Sequence, residues 1–340
     1  MVSFALVLPL LAHETWFVKD PGNVDWSFAG QPLTLALLGA AVMATLIVRL
    51  VNRAWSGVDV PFLARMAPFM PFAVRLHLAV SLVGLLSLGV YLSPAMPLAP
   101  DVPGILLGAV MAVVAVGLAT GYQARPAAAL LVVAGPLGML EFGVSPVLQR
   151  IDLLGLAFFV ILAGPGRWSA DYEQGRAADL DPVAAARALW ALRVAAGTAL
   201  IAVAFVEKLA NPDLALAFLQ ENPELNVAQA VGIGMSDLEF VRLAGAMEIL
   251  FGLLLISGAL PQVIVLMVGV PFNATLWFFA SVELIGHLPV YGAMLVILVF
   301  GSHPDLRPST YRLWPWSAAD HPVLGDRGRF RSAQARSSRS

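Results

Sequence analysis

One carboxyl group stands out as a candidate for chemistry because it lies inside an apolar stretch. Glu248 is near the middle of the stretch 239–258 and has apolar neighbours on both sides. A charged group at the centre of a bilayer costs about 3 kcal/mol or more, so Glu248 needs a partner or a function. Burial favours the neutral carboxyl, which suits a hydrogen-bond donor or a proton carrier. Gly245 and Gly252, on nearly the same helical face, let another helix approach closely, so the alternative is a structural Glu248 held by a hydroxyl group or by Asn273.

A second group of ionisable residues surrounds the ends of two predicted helices. Glu207 and Lys208 end one apolar stretch. Glu283 and His287 are four residues apart and share a helical face if the next helix begins there. Together the four form either an outward-facing polar pocket or an ordinary cluster of ion pairs at the membrane surface. A Glu–His pair resembles metal-ligand spacing, but two side chains do not make a site, so no metal site is predicted.

The residues that the sequence lacks exclude several kinds of chemistry. It has no cysteine, which excludes disulfides, thiolate-bound iron–sulfur clusters and a catalytic thiol from this chain. Its histidines offer no pair at facing mid-membrane positions, so no haem is predicted. Phosphate-binding and dinucleotide-binding glycine motifs are missing as well, so no nucleotide cofactor is expected. An enzyme that acts alone is therefore not predicted.

The elements that position these residues are predicted to be membrane-spanning helices. Of the 340 residues, 59% are hydrophobic and 12% are charged, and the mean hydropathy is +0.82. Such a chain cannot bury its apolar surface in its own core, so the lipid bilayer is its expected partner. Soluble enzymes and nucleic-acid binders are excluded. Nine stretches are long and apolar enough to span a bilayer: 33–51, 74–93, 103–121, 127–145, 148–164, 187–207, 239–258, 262–281 and 285–301.

The basic residues predict the orientation in a bacterial-type plasma membrane. With the N-terminus outside, all but four of the 20 Lys and Arg residues fall on the cytoplasmic side. The segment 208–238 then lies outside, where a short amphipathic helix and a docking site for a redox partner protein are expected. Residues 304–340 form a cytoplasmic tail rich in Arg and Ser. Residues 1–12 are either a cleaved signal peptide or a partly inserted helix, and both alternatives stay open.

Two groups of helices repeat one another. The run 108–111 resembles the run 245–248 at an offset of 137 residues, and the same offset carries Gly164 onto Gly301. We therefore predict an all-α integral membrane protein of about nine transmembrane helices, with one leading helix and two four-helix bundles that are parallel repeats. The predicted segments are an N-terminal outer segment (1–32), the leading helix with its loop (33–73), the first unit (74–171), the second unit (187–303) and the tail (304–340).

The ends of both units resemble the DoxX/DoxD family of small four-helix membrane proteins. The run 164–171, Gly-Pro-Gly-Arg-Trp-Ser-Ala-Asp, is similar to the terminal signature of that family. In the second unit, Arg193, Lys208 and Glu248 stand at positions that resemble the first and second helices of the family. The first unit departs from the pattern, because Met111 replaces the glutamate. The resemblance implies a membrane subunit linked to redox metabolism, like the membrane part of a thiosulfate:quinone oxidoreductase.

The resemblance and the polar residues together lead to a first hypothesis, a quinone-facing membrane subunit. Glu248 and His287 would move protons to and from the quinone. Further residues would bind it: Asn273, Lys208, Glu283 and Arg193. Because the chain has no redox group of its own, the electrons would come from a partner protein or directly from the substrate. The alternative hypotheses are a non-catalytic membrane scaffold and a small-solute permease whose path these polar residues line.

Overall fold

The computed structural model describes residues 14–18, 24–230 and 232–316, except for the side chains of residues 230, 274, 275 and 277–283. Within these ranges all regular structure is helical, apart from one isolated bridge between Val90 and Pro97. The longer helices are α1 (Pro32–Ala54), α2 (Met70–Ser87), α3 (Val102–Thr120), α4 (Ala124–Phe142), α5 (Ile151–Ala163), α6 (Pro182–Val203), α7 (Pro212–Glu221), α8 (Asp237–Ser257) and α9 (Pro261–Gly301). Short helical turns lie at Glu14–Trp16, Pro61–Ala64, Ala67–Phe69, Val144–Leu148, Ala170–Glu173, Pro223–Leu225, Val227–Ala230 and Arg307–Thr310. The predicted all-α fold is confirmed.

Seven helical segments are long and apolar enough to cross a membrane. They are Pro32–Ala54, Pro61–Ser87, Val102–Thr120, Ala124–Phe142, Pro182–Leu209, Asp237–Ser257 and Leu284–Gly301. Two further apolar helices are shorter, Ile151–Ala163 and Pro261–Asn273. Large apolar side chains such as Leu46, Ile47 and Leu50 of α1 are exposed, as expected for a surface that faces lipid. The count of nine spanning helices stays a prediction.

Local signals in the sequence explain where α3 and α8 begin and end. Asp101 caps α3 by accepting a hydrogen bond of 2.9 Å from a backbone N–H of the first turn. Ser236 and Glu239 form a capping box at the start of α8. The two helices end at Gly121 and Gly258, whose φ angles are 69° and 63°. Glycine suits both ends because other residues are strained in this left-handed conformation.

The helical segment α9 folds back on itself. A straight helix of 41 residues would separate its ends by about 60 Å. Instead Pro261 lies against Gly301, where an added Cβ would come 2.5 Å from the proline ring. Further along, the hydroxyl group of Tyr291 lies 3.4 Å from Asn273 Oδ1. α9 therefore consists of two antiparallel arms.

We refer to two groups of helices as the first and the second bundle, and each group contacts the other through its first and last members. The first bundle contains α2, α3, α4 and α5, and the second contains α6, α8 and the two arms of α9, with α1 packed against α8. The bundles join where α5 lies along α6 and where α2 lies along α9. Gly155 of α5 allows the first contact, because a Cβ there would overlap that of Ala195. Gly292 of α9 allows the second contact, because a Cβ there would lie 3.1 Å from His77 Cβ of α2.

The helix α6 widens at its end into a π-helical turn, Ala204–Leu209. Single π-helical turns are uncommon and often occur at functional sites. This turn carries Glu207 and Lys208, both of which are buried. The predicted short helix of the segment 208–238 is present as α7, with Leu214 and Phe218 buried.

Candidate functional site

Lys208 is the centre of a buried ion-pair cluster. Its Nζ atom lies 2.8 Å from Glu14 Oε1 and 3.0 Å from Glu248 Oε1. All three side chains are at most 5% exposed. They come from three separate elements, namely the N-terminal turn Glu14–Trp16, the π-helical end of α6 and the middle of α8. We refer to Glu14, Lys208 and Glu248 as the lysine cluster.

Two glycines of α8 bring Lys208 within reach of Glu248. Gly245 and Gly252 lie about one turn before and after Glu248 and face α6. A Cβ at Gly245 would lie 3.4 Å from Lys208 Cβ, and a Cβ at Gly252 would lie 2.6 Å from the carbonyl oxygen of Gly197. The two helices therefore approach closely on the face that holds Glu248, as the glycines predict.

The N-terminal turn closes over the lysine cluster. Besides the ion pair of Glu14, Thr15 Oγ1 donates a hydrogen bond of 2.7 Å to Glu207 Oε1. Phe17 packs against Phe218 of α7, with ring centroids 5.8 Å apart. Residues 14–17 thus connect the π-helical turn to α7 and shield the carboxyl groups beneath them.

Trp16 extends this closure to the joint between the two bundles. It lies against Gly286 of α9, where any side chain would overlap the indole ring. Arg150 Cζ lies 5.6 Å from the centroid of the same indole. The Arg150 guanidinium donates hydrogen bonds of 3.0 Å to the carbonyl oxygens of Leu92 and Gly286, and its Nη2 lies 3.9 Å from Asp152 Oδ2. The N-terminal turn therefore contacts both bundles.

The lysine cluster contains more acid than base. One ammonium group faces the carboxyl groups of Glu14 and Glu248, so a single proton on either carboxyl makes the trio neutral. Burial raises the pKa of Glu14 well above its usual range, an effect that Lys208 opposes and Glu207 reinforces. An uncompensated buried carboxylate would cost several kcal/mol. This arrangement favours one carboxyl group in its neutral, proton-bearing form.

Glu248 keeps one carboxyl oxygen for another contact. Its side chain is completely buried, and within the part of the chain that the structure describes its Oε2 atom has no hydrogen-bond partner. Such atoms are rare in native proteins and mark places where water or a ligand group fits. The oxygen of a quinone or quinol is such a group, and Glu248 Oε2 could form one hydrogen bond with it. Within the same described ranges, no group of three or more His, Asp or Glu side chains is placed to hold a metal ion.

His287 and Asn273 belong to a separate aromatic group on α9. His287 is completely buried, with its ring centroid 4.4 Å from that of Phe272 and 6.4 Å from that of Tyr291. Asn273 Nδ2 donates a hydrogen bond of 2.6 Å to the carbonyl oxygen of Gly269. Asn273 Oδ1 is 3.4 Å from the hydroxyl group of Tyr291. The structure thus connects Asn273 to His287 through Tyr291.

Two expectations from the sequence differ from these contacts. Glu248 is held by Lys208 and not by Asn273, because the π-helical turn carries Lys208 toward α8 while Asn273 bonds within α9. Glu207 and Lys208 do not line an open pocket, because the N-terminal turn covers them and both are buried.

The two remaining predicted residues are Glu283 and Arg193. The side chain of Glu283 lies outside the described residues. Arg193 is completely buried in α6, about 22 Å from Lys208 along the helix. Its Nη2 donates a hydrogen bond of 2.8 Å to the carbonyl oxygen of Arg312. Arg193 therefore takes no part in the lysine cluster.

Sequence reasoning missed the contribution of Glu14 and Thr15. Both follow the apolar run 1–12, whose structure lies outside the described residues. The available signal was a carboxyl group placed directly after an apolar run, close enough to enter the membrane with it. The partner could not be found this way, because Glu14 and Lys208 are 194 positions apart.

No family model, curated protein or solved structure matches this chain. The DoxX/DoxD resemblance therefore stays a prediction, carried by the run 164–171 and by the residues of the second bundle. The geometry of the lysine cluster has to support a function by itself.

Proposed function

We propose that this chain is a redox-associated membrane subunit of the DoxX/DoxD kind, in which the lysine cluster exchanges protons with a quinone. The observation that carries the proposal is the position of Lys208 Nζ, buried between the carboxyl groups of Glu14 and Glu248. Ionisable groups inside a membrane protein are costly, and proteins retain them where protons or ions move.

The lysine cluster has the parts that proton transfer requires. A bound quinone would supply a couple that takes up electrons and protons together. Lys208 orients the Glu248 carboxyl through Oε1 and leaves Oε2 to bond the cofactor oxygen. Glu14 shares the same ammonium group, so a proton given up by Glu248 is replaced from a neighbouring carboxyl without moving Lys208. A partner protein that docks on the segment 208–238 would supply the electrons.

The aromatic group on α9 is the proposed wall of the quinone site. Phe272, His287 and Tyr291 present ring systems that suit stacking against a planar ligand. Trp16 connects this wall to the lysine cluster, because it packs beside the residue before His287 and lies two residues after Glu14. His287 is then the second proton-transferring residue, and Asn273 lies at the margin of the site.

The two bundles are proposed to be parallel repeats. Gln123 and Leu260 are 137 positions apart and precede α4 and α9 with φ angles of 51° and 44°. Gly121 and Gly258 share the same offset and also have positive φ. Positive φ is uncommon outside glycine, so its recurrence at one offset supports a duplication.

The proposed topology counts the two shorter apolar helices as spans, which makes nine. The N-terminal turn and the lysine cluster then face the outside of the cell, and the opposite end of α6 faces the cytoplasm. The distribution of Arg and Lys along the chain supports this orientation.

Retention of a quinone by the purified protein tests the proposed function. The full-length protein in mild detergent should carry a quinone that solvent extraction and chromatography detect. Glu248→Gln should lose most of it, whereas Glu141→Gln, at an exposed glutamate of α4, should keep it. A wild-type protein that retains no quinone would rule out this function. A Glu248→Gln protein that melts far below the wild type but retains quinone per folded molecule would make Glu248 a structural residue.

A proton-coupled permease is the second candidate, and the N-terminal turn favours it. Glu14 and Thr15 close the lysine cluster from a short peripheral element, as a gate would. Proteoliposomes with an enclosed pH-sensitive dye measure proton flux under a pH gradient. Flux that needs no quinone and disappears in Glu248→Gln would support the permease, and its absence would count against it. A protein that shows neither flux nor quinone retention would be a scaffold.

A further inference from the structure

Arg49 and Arg193 meet at the end of α8 that is remote from the lysine cluster. Arg49 Nη1 lies 2.7 Å from the carbonyl oxygen of Ser257, the last residue of α8. Arg193 Nη2 lies 2.8 Å from the carbonyl oxygen of Arg312. Arg193 Nη1 fills the space beside Gly258, where a Cβ would overlap it. The two guanidinium groups are therefore neighbours across the end of this helix.

This pair of arginines lacks a carboxylate. Within the described residues neither Arg49 nor Arg193 forms an ion pair, and the charge that acts on Arg193 is that of Arg49. Arg193 is completely buried, yet its Nε and Nη1 atoms have no hydrogen-bond partner in that part of the chain. Two like charges with unused N–H donors are unfavourable unless an anion joins them.

Arg75 in the first bundle shows how an arginine at this kind of helix end can use both of its terminal nitrogens. Its Nη1 donates to the carbonyl oxygens of Leu118 and Ala119, and its Nη2 donates to that of Trp168 at 2.8 Å. Arg193 uses only Nη2 in this way. Within the described residues, Arg193 thus has two guanidinium nitrogens without a partner, Nε and Nη1, whereas Arg75 has only Nε, and Arg49 adds a second positive charge beside Arg193.

Three tryptophans pack together near Arg193, because Trp190 and Arg193 bond to the neighbouring backbone carbonyl groups of Leu313 and Arg312. Trp190 Nε1 donates a hydrogen bond of 2.7 Å to the carbonyl oxygen of Leu313, and its ring packs edge-on against Trp314 and Trp316. Trp314 is 60% exposed and Leu313 is 57% exposed. Arg187 Cζ lies 5.9 Å from the centroid of the Trp316 ring. Exposed tryptophans with arginines at the end of apolar helices are typical of the lipid headgroup level.

We propose that Arg49, Arg187 and Arg193 form a binding site for the phosphate group of an anionic phospholipid, with Trp314 and Trp316 beside its acyl chains. A guanidinium group binds phosphate oxygens through two parallel N–H donors. Arg49 and Arg187 are half-buried and would contact the phosphate from the protein surface. Arg193 would donate hydrogen bonds to it from the protein interior, through Nε and Nη1. A free phosphate ion shares this chemistry but leaves the exposed tryptophans without a contact. The site does not depend on the proposed quinone function.

Lipid-dependent thermal stability of the full-length protein tests this site. The delipidated protein in detergent is titrated with phosphatidylglycerol, phosphatidylcholine or inorganic phosphate at equal concentrations. Only phosphatidylglycerol should raise the melting temperature of the wild type. Arg49→Gln should raise its half-saturating concentration about fivefold, as expected for one arginine at an anionic membrane surface. Arg53→Gln is the matched control, because Arg53 is exposed one turn further along α1 and should leave the titration unchanged.

Each other outcome would overturn a defined part of the proposal. Equal losses in Arg49→Gln and Arg53→Gln would show unspecific attraction to negative lipid. Stabilisation by inorganic phosphate equal to that by phosphatidylglycerol would assign the site to a free anion. Equal effects of the two lipids would remove the need for an anionic headgroup. Arg193→Gln should weaken binding further, and if it fails to fold, Arg49→Gln still decides the result.

Discussion

In the first bundle, Arg75 of α2 lies beside Gly121, where α3 ends, and in the second, Arg193 of α6 lies beside Gly258, where α8 ends. Both arginines are buried and donate hydrogen bonds to backbone carbonyl groups. A side chain at Gly258 would overlap Arg193, and one at Gly121 would overlap Ser169 first and lie 2.9 Å from Arg75 Nη1. Because an arginine meets a helix-ending glycine in both bundles, helix packing is sufficient to explain its hydrogen bonds to the backbone.

The opposite ends of the bundles differ. In the second bundle Glu248 pairs with Lys208, whereas the first has Met111, also completely buried, 137 positions before Glu248. The first bundle packs without an ion pair at this position, so the four-helix arrangement does not require one. The comparison therefore assigns the contacts between arginine and backbone carbonyl groups a structural role in both bundles and makes the lysine cluster the better candidate for proton transfer.

Removal of Lys208 is expected to have the largest effect. Lys208→Met leaves two buried carboxyl groups without their cation and should lower the free energy of unfolding by about 3–5 kcal/mol. The double variant Lys208→Met/Glu248→Met copies the apolar packing around Met111 and should recover the part of this loss that comes from Glu248, while Glu14 stays without its cation. Thermal unfolding in detergent measures both. A double variant that is no more stable than Lys208→Met would show that the two bundles are not equivalent at this end.

Gly121→Ala and Gly258→Ala should each lower the free energy of unfolding by about 2 kcal/mol or more, because a clash adds to backbone strain. The clash is with Ser169 and Arg75 at Gly121, and with Arg193 and the carbonyl group of Thr310 at Gly258. Gly175→Ala is the control, since Gly175 also has positive φ (70°) but has no atom within 4 Å of an added Cβ. It should cost about 1 kcal/mol from the backbone alone. Melting temperatures provide the comparison, and a Gly121→Ala protein as stable as Gly175→Ala would break the equivalence of the arginine ends.

Loss of the Thr15 hydroxyl should have a smaller effect, confined to the second bundle. Thr15→Val removes the hydrogen bond to Glu207 and should cost about 1 kcal/mol. Thr120→Val in the first bundle is the matched control, because its exposed hydroxyl bonds only within its own helix and the chain just after it. Equal melting temperatures of the two variants would mean that the N-terminal turn does not hold the lysine cluster closed.

The smallest expected effect is a loss of stability at acidic pH that arises from Asp171 in the first bundle. Asp171 accepts hydrogen bonds from the backbone N–H groups of Gln123 and Ala124 and pairs with Arg176 at 2.9 Å. Burial acts against ionisation of this carboxyl, but these donors outweigh it and keep the pKa of Asp171 below its usual value. Its stabilising contribution is therefore complete above about pH 4 and is lost as the pH falls through the lowered pKa.

We expect no such acid dependence from Leu260 of the second bundle, which lies 137 positions after Gln123. The backbone N–H of Leu260 donates to Asn52 Oδ1, an uncharged amide. Asp171→Asn should accordingly lower the melting temperature at neutral pH and flatten its change between about pH 5 and pH 2. If the melting temperature of Asp171→Asn still falls with decreasing pH as steeply as that of the wild type, the acid dependence arises from residues other than Asp171.

The helix ends were predictable only where local chemistry marks them. α3 and α8 have capping side chains at the start and a glycine at the end, and their predicted bounds agree with the structure within a few residues. The stretch 74–93 was too long, because α2 ends at Ser87. Tyr91 and Leu92 are apolar and completely buried in the turn that follows, and hydropathy does not distinguish a buried turn from a spanning helix.

By itself, the sequence determined the class of protein, the main helices, and the isolation of Glu248 between two glycines that admit another helix. These properties follow from composition and from a helical period of 3.6 residues, which are local. Only the tertiary structure decided that Lys208 and Glu14 are the partners of Glu248 and that Arg49 adjoins Arg193. These groups are far apart along the chain and meet through a π-helical turn, a glycine crossing and an N-terminal turn. A periodic pattern shows which face of a helix is buried, but not which charge lies opposite it.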